Sequence, residues 1–213
     1  GVVPISLKDT CIDFLCTAGH KGLYGPMGTG ILVINSEETP ESLIQGGTGS
    51  MSSCRRQPEM LPDKYESGTP NLPGIAGLNA GVKFVLQRSP GKIEKNEMML
   101  AQRMYDRLSN IKKVKLYTKR PDSKSFVPVI SFNIDGYESE QTAVLLNDRF
   151  NIAVRAGLHC APLAHEFFHT DEIGTVRAVM SVFSTQGQIE YFANAVHKIS
   201  DFKNPSKKVA INI

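Results

Sequence analysis

A glycine-rich turn around a single lysine most constrains how this chain can fold. Residues 18–30 read AGHKGLYGPMGTG, and they follow an apolar segment, Ile12 to Cys16, that predicts a buried strand. Glycines let the backbone adopt positive φ angles or approach a bound group closely, and Pro26 fixes one φ angle among them. The pattern predicts a strand that leads into a turn where the backbone comes close to another group.

Lys21, the lysine in this turn, has two interpretations. Partial desolvation makes a lysine amine a nucleophile toward a carbonyl, which is what Schiff-base chemistry requires. A lysine in a glycine-rich loop is also commonly a solvated surface residue. The run matches neither the GxxxxGK[ST] nor the GxGxxG phosphate motif, so the spacing alone does not decide between the two interpretations.

The string GHKGLYGPMGTGILVI closely resembles the pyridoxal-phosphate lysine segment of class V aminotransferases, in particular the cysteine desulfurase group. Four more segments resemble that family in its own order: GGTGS (46–50), YESGTPNLPGIAGLNAG (65–81), VRAGLHCAPLAH (154–165) and GTVRAVMSVFST (174–185). The resemblance implies pyridoxal 5'-phosphate as cofactor and removal of sulfur from L-cysteine, giving alanine and an enzyme persulfide. A PLP-dependent aminotransferase or a selenocysteine lyase on the same scaffold is the alternative, since a scaffold does not determine the reaction.

The resemblance also assigns the cofactor-binding residues. Lys21 matches the Schiff-base lysine, and His20 matches a contact to the cofactor phosphate. Thr69 lies in ESGTPN, which resembles the segment that reaches the phosphate of the other subunit. The resemblance therefore implies a homodimer.

Cys160, in RAGLHCAP, falls where cysteine desulfurases place the nucleophile that receives the sulfur. An ordinary thiol is only partly ionised at neutral pH, so a positive neighbour matters, and Arg155 and His159 are local candidates. A free cysteine is otherwise often a small buried hydrophobic residue. The resemblance thus makes Cys160 the catalytic nucleophile.

Arg177 and Arg155 are assigned to substrate binding. Arg177 matches the arginine that binds the α-carboxylate of the amino-acid substrate, a role suited to a planar bidentate guanidinium. An internal salt bridge is the other reason for an arginine within an apolar strand. The resemblance further implies a sulfur-acceptor protein, although no motif selects one.

Composition narrows the classes of partner and the cellular location. The 213 residues carry a net charge of +3 with no basic tract, so neither nucleic acid nor a membrane surface is an expected partner. No run reaches 18 apolar residues, and the four cysteines form no CxxC pair. We expect a reducing, cytoplasmic setting.

Hydrophobic periodicity predicts an α/β chain with two parts. The pattern from about residue 90 onward predicts a compact unit with a small, largely antiparallel sheet. The family resemblance implies that residues 1–90 end the large cofactor domain, with the lysine turn between strands, and that residues 91–213 form the C-terminal small domain. The predicted strands are Ile12–Cys16, Ile31–Ile34, Val114–Tyr117, Val127–Ile134, Ile152–Arg155 and Val176–Phe183, and residues 35–73 are predicted as loop. The predicted helical stripes are Ile75, Leu78, Val82, Val85; Leu100, Met104, Leu108, Ile111; and Ile189, Phe192, Val196, Ile199, with a further helix over Glu138–Phe150.

A competing motif lies at residues 165–169, which read HEFFH and match the zinc metalloprotease pattern HExxH. In that interpretation His165 and His169 bind zinc, Glu166 is the base and Glu190 a third ligand. The motif has only three fixed positions and lies within the longer family match. We therefore predict no metal site.

The resemblance corresponds to the C-terminal half of a class V enzyme. The family's aspartate that pairs with the pyridine nitrogen, its stacking residue and its phosphate-binding turn have no counterpart among these 213 residues. We expect the isolated chain to be an inactive structural fragment, and exposed apolar strand edges in residues 1–34 to favour self-association or disorder.

Overall fold

The computed structural model describes residues 1–122 and 127–202 as a mixed α/β chain with two small antiparallel sheets, which confirms the predicted fold class. Two compact units are present, Gly1–Glu94 and the residues from Lys95 on. The assignment of the two parts to a cofactor domain and a small domain stays a prediction. The elements are α1 (Leu7–Thr10), β1 (Phe14–Ala18), β2 (Gly30–Ile34), α2 (Leu72–Arg88), α3 (Pro90–Ser109), β3 (Val114–Leu116), β4 (Val129–Ile134), α4 (Ser139–Phe150), α5 (Pro162–Phe168), β5 (Val176–Val179) and α6 (Gln186–Ser200).

In the first unit, the lysine turn connects the two strands of a hairpin. β1 and β2 pair antiparallel, with Phe14 opposite Ile34 and Ala18 opposite Gly30. The two predicted strands are confirmed, with β1 shifted by two residues. The expected burial of the first strand is wrong, since Phe14 is 42% exposed. Leu32 of β2 is 43% exposed, because a sheet of two strands does not enclose its apolar side chains.

Helix α2 packs directly against the lysine turn. A Cβ atom at Gly81 would collide with the carbonyl oxygen of Leu23, and one at Gly77 would lie 2.6 Å from a ring carbon of Pro26. The buried face of α2 thus contains glycines as well as Leu78. For that reason the predicted buried stripe is wrong at Ile75, which is 47% exposed.

The connection between β2 and α2 is a loop in its described residues, as predicted, but it is ordered by side chains. The Gln57 amide accepts a hydrogen bond from the backbone of Gly46 at 3.1 Å and donates one to the carbonyl of Asp63 at 2.6 Å. The Tyr65 hydroxyl donates to the carbonyl of Pro40 at 2.6 Å. These bonds give the long segment a defined path.

The second unit is built on a three-stranded sheet in the order β3, β4, β5. Alternate residues of β4, Ile130, Phe132 and Ile134, are buried, as their spacing predicted. The ring of Phe132 packs edge-on against Phe192 of α6, with centroids 5.9 Å apart. The apolar stripes predicted for the α3 region and α6 are buried: Leu100, Met104, Leu108, Ile111, Ile189, Phe192, Val196 and Ile199.

The four strands predicted after residue 90 are all shorter than expected: β3 ends at Leu116 and β4 begins at Val129, and the other two differ more. Ile152–Arg155 forms only a single bridge, between Arg155 and Arg177, because a turn with Gly157 at φ +99° follows at once. The strand predicted over Val176–Phe183 ends at Val179, where its pairing with β4 ends opposite Val129. Arg177 of β5 thus pairs with Ser131 of β4 on one side and with Arg155 on the other.

Among the described residues, no helix has the length and apolar character needed to cross a membrane.

Candidate functional site

The lysine turn presents His20 and Lys21 to solvent. Its conformation is held by backbone hydrogen bonds, from Gly19 to the carbonyl of Thr29 at 2.9 Å and from Gly25 to the carbonyl of Gly19 at 2.8 Å. Lys21 lies three residues after the end of β1, in a turn whose backbone is held by these hydrogen bonds. Its side chain is therefore exposed although the backbone that carries it is ordered. This is an arrangement in which a carbonyl compound can reach the amine.

Thr69 lies where two of the glycine motifs meet. The backbone N–H of Gly68 donates to the carbonyl of Gly47 at 2.8 Å, and Gly68 has φ +80°, a conformation that favours glycine. The contact joins the ESGTPN segment to the GGTGS segment. Thr69 itself is exposed, so its hydroxyl is accessible as a hydrogen-bond donor.

In the second unit, Cys160 lies in a turn with an unusual backbone. His159 has φ +54° and Cys160 φ +60°, so two consecutive residues other than glycine adopt the left-handed conformation. Such residues are costly and persist where the surrounding structure holds them. The thiol of Cys160 is exposed, as a nucleophile requires.

Of the two candidates for a positive neighbour of Cys160, the structure favours Arg155. Its Nη2 atom lies 3.5 Å from the Sγ atom of Cys160. The ring of His159 instead contacts the backbone, with Nε2 2.8 Å from the carbonyl oxygen of Thr175. Burial lowers the pKa of His159 below its ordinary 6.5, and so does the proximity of Arg177, His165 and Arg155, against the effect of the bond to Thr175. His159 is therefore neutral at neutral pH.

Arg177 lies at the centre of β5, opposite Ser131 of β4 and bridged to Arg155 on its other side. Its Nε atom is buried and without a hydrogen-bond partner. No acidic side chain in residues 1–122 and 127–202 forms an ion pair with it. A half-buried arginine whose Nε atom has no partner and which has no counter-charge among the described residues fits an anionic ligand such as a carboxylate.

A cavity of about 200 Å³ adjoins Arg177 in the second unit. Sequence reasoning missed part of its lining, because short polar residues in turns carry no periodic signal. Its lining residues are Tyr117, Thr118, Ser131, His159, Ala161, Ala164, His165, Phe168, Thr170, Thr175 and Arg177. The cavity thus joins Arg177 to the turn that carries Cys160.

The two histidines of the HEFFH motif lie in different surroundings. His165 is buried on α5 and its Nδ1 lies 2.8 Å from the hydroxyl of Thr170, whereas His169 is exposed beyond the helix end. The carboxylate of Glu190 pairs with Arg103 at 2.6 Å and Arg107 at 3.0 Å. Glu190, which the competing interpretation names as a third zinc ligand, thus has two arginine partners in this structure, and the absence of a metal site stays a prediction.

The chemistry of the donor set fits pyridoxal phosphate. The exposed amine of Lys21 suits its aldehyde, and the imidazole of His20 and the hydroxyl of Thr69 suit its phosphate. The orphaned Nε of Arg177 suits the carboxylate of an amino acid bound to it.

Comparisons with known proteins identify the family of the chain. A probable cysteine desulfurase of Pyrococcus abyssi is 34% identical over 205 residues, which are 93% of this chain and 49% of that protein. The Escherichia coli cysteine desulfurase CsdA is 32% identical over 92% of this chain and 47% of its own length, and a crystal structure of CsdA superposes with a TM-score of 0.79 over 92% of this chain and 48% of its own. The apo structure of the cysteine desulfurase from Thermococcus onnurineus NA1 superposes with a TM-score of 0.78 at 29% identity, over 93% of this chain and 50% of its own. The chain thus spans about half the length of the relatives it matches. The family model for class V aminotransferases matches residues 1–192, and the chain therefore belongs to the class V aminotransferase family.

Proposed function

We propose that this chain is the C-terminal part of a PLP-dependent cysteine desulfurase that acts on L-cysteine. The observation that carries the proposal is the contact of 3.5 Å between the guanidinium of Arg155 and the exposed thiol of Cys160. A thiol beside a cation is favoured as a nucleophile because the thiolate is the reactive form. The backbone bridge between Arg155 and Arg177 supports the proposal, because it joins the residue that contacts the thiol to the residue proposed to bind the carboxylate.

Lys21 would hold the cofactor covalently, and His20 and Thr69 would bind its phosphate. When bound, pyridoxal phosphate supplies an electron sink. Arg177 would bind the carboxylate of the substrate and so orient its sulfur toward Cys160. The sulfur of Cys160 then bonds to the substrate sulfur as the substrate's carbon–sulfur bond breaks. The electron pair and a proton go to that carbon, which leaves as alanine, and Cys160 keeps the persulfide.

The sulfur acceptor, the homodimer and the cellular location that we propose are supported by individual residues. Because Cys160 is exposed, a sulfur-acceptor protein can reach the persulfide. The accessible Thr69 supports the proposed homodimer, in which it would serve the other subunit's cofactor. All four cysteines are free, which agrees with the proposed cytoplasmic location.

The cofactor assignment is tested by titrating the chain with pyridoxal phosphate, trapping the adduct with borohydride and locating it by mass spectrometry. We expect saturable labelling at Lys21 that disappears in Lys21→Ala. The matched control is Lys8→Ala, which removes a lysine elsewhere in the same unit. Equal labelling of Lys8 and Lys21 would contradict the assignment.

The nucleophile is tested separately. We expect no turnover of L-cysteine by the isolated chain. If any preparation that contains this chain releases alanine from L-cysteine, the Cys160→Ser substitution should abolish the formation of both alanine and persulfide without changing the labelling of Lys21. Alanine formation that survives this substitution would exclude Cys160 as the sulfur acceptor and favour another reaction of the family.

A further inference from the structure

The left-handed turn at His159 and Cys160 must be held by specific contacts, and few are available. The backbone N–H of Thr175 donates to the carbonyl of Gly157 at 3.1 Å, before the two strained residues, and Ala161 bonds back to Leu158 at 2.9 Å, within the turn. Neither bond links His159 or Cys160 themselves to the sheet. Two side-chain contacts do: the exposed contact of 3.5 Å between Arg155 and the Sγ atom of Cys160, and the shorter one of 2.8 Å between Nε2 of His159 and the carbonyl oxygen of Thr175.

The chemistry of that contact determines the tautomer of His159. A carbonyl oxygen only accepts hydrogen bonds, so Nε2 must carry the proton. The other ring nitrogen, Nδ1, is buried and has no hydrogen-bond partner among the described residues. A second proton on Nδ1 would therefore be buried without an acceptor.

The charges around the ring point the same way. Arg155 precedes the turn, Arg177 faces the ring from β5, and His165 faces it from α5 with ring centroids 5.8 Å apart. Tyr117, at the end of β3, lines the same cavity. None of these groups is an anion at neutral pH, so the surroundings disfavour an imidazolium.

We propose that His159 is a positioning residue, whose neutral ring anchors the Cys160 turn to strand β5 and so sets the distance between the thiol and Arg177. The relevance of this inference to catalysis rests on the proposed function, because it states how the proposed nucleophile, Cys160, and the proposed carboxylate-binding residue, Arg177, are held at a fixed distance. The anchor itself is a property of this chain without cofactor or substrate.

The first test is the protonation state of His159 in the unaltered chain. Side-chain nitrogen NMR on chain labelled with ¹⁵N-histidine distinguishes a protonated nitrogen from a bare one. We expect Nε2 protonated and Nδ1 bare at pH 7.5, with titration below pH 6.5, the ordinary histidine value. A proton on Nδ1 at pH 7.5 would overturn the proposal.

The second test compares His159→Gln with His159→Met. Both side chains are unbranched and of similar length, but only glutamine has an N–H group to donate to Thr175. With a hydrogen bond removed, the amides of Thr175 and Arg177, which bond to the segment before the turn, should exchange about five- to tenfold faster in the methionine variant. In the glutamine variant they should stay within about twofold of the unaltered chain.

Amides in α6 are the control, since global destabilisation would accelerate them as well. Equal exchange at Thr175 and Arg177 in the two variants would refute the anchor. These results involve neither cofactor nor L-cysteine, so a failure here is distinct from a failure of the Lys21 labelling that tests the proposed function.

Discussion

A buried carboxyl group on α3 should make the stability of the chain depend on pH. Glu97 is 1% exposed, one of its oxygens accepts a hydrogen bond from the backbone N–H of Val182, and the other, Oε2, has no partner. Burial raises the pKa of Glu97 from 4.5 to about 7, against the effect of the Val182 bond. The folded chain therefore holds Glu97 protonated in a range where the unfolded chain ionises it.

The size of the effect follows from that shift. Each pKa unit corresponds to about 1.4 kcal/mol, so the rise from 4.5 to about 7 amounts to about 3 kcal/mol. Because the folded pKa is the higher one, this stability is fully present below pH 4.5 and is lost as the pH rises through about 7. Glu97→Gln keeps the acceptor for Val182 and removes the ionisation. We expect it to stabilise the chain at pH 8 by about 2 to 3 kcal/mol, and to change little at pH 4.5.

Urea unfolding of both proteins at intervals between pH 4.5 and 8 measures this difference. Glu94→Gln, which alters a less buried glutamate on the same helix, is the matched control and should stay within about 0.5 kcal/mol of the unaltered chain throughout. A Glu97→Gln difference that does not grow with pH would refute the reasoning, because it would show that the buried carboxyl group ionises equally in both states.

Two more predictions concern the site itself. Gly81→Ala should destabilise the first unit by about 1 to 2 kcal/mol, because overpacking against the carbonyl of Leu23 outweighs the gain of about 1 kcal/mol in helix propensity. Thermal unfolding measures this change in stability, and a stabilised variant would contradict the close packing of Gly81 against Leu23. Arg155→Gln should slow alkylation of Cys160 by iodoacetamide at pH 7 about two- to fivefold, the range for an exposed charged contact. The rate is measured with the other three cysteines replaced by serine, and an unchanged rate would exclude Arg155 as the activating cation.

The sequence predicted the parts of the fold in which periodicity and burial coincide. Ile130, Phe132 and Ile134 alternate along β4 and are all buried, because a strand with one face on the core must bury every second residue. The same reasoning failed for Ile75. There the packed face of α2 is partly made by glycines, which allow close approach but carry no apolar signal.

The candidate site was less predictable, because its geometry depends on tertiary contacts between short segments. The bridge between Arg155 and Arg177 joins positions 22 residues apart. The left-handed conformation of Cys160 was also not predictable, because that conformation is typical of glycine and not of cysteine. The residue types were identifiable by resemblance, but the separate roles of Arg155 at the thiol and His159 at the Thr175 carbonyl required the structure. The functional roles of all these residues stay predictions.

The conformation of Cys160 also bears on how such a chain could change in evolution. At φ +60°, glycine has a lower conformational energy than any residue with a Cβ atom. Replacing Cys160 by glycine would therefore relieve the backbone strain while removing the thiol. Serine would keep the strain, and the two replacements would differ in their unfolding midpoints. Removal of the thiol therefore need carry no cost to folding.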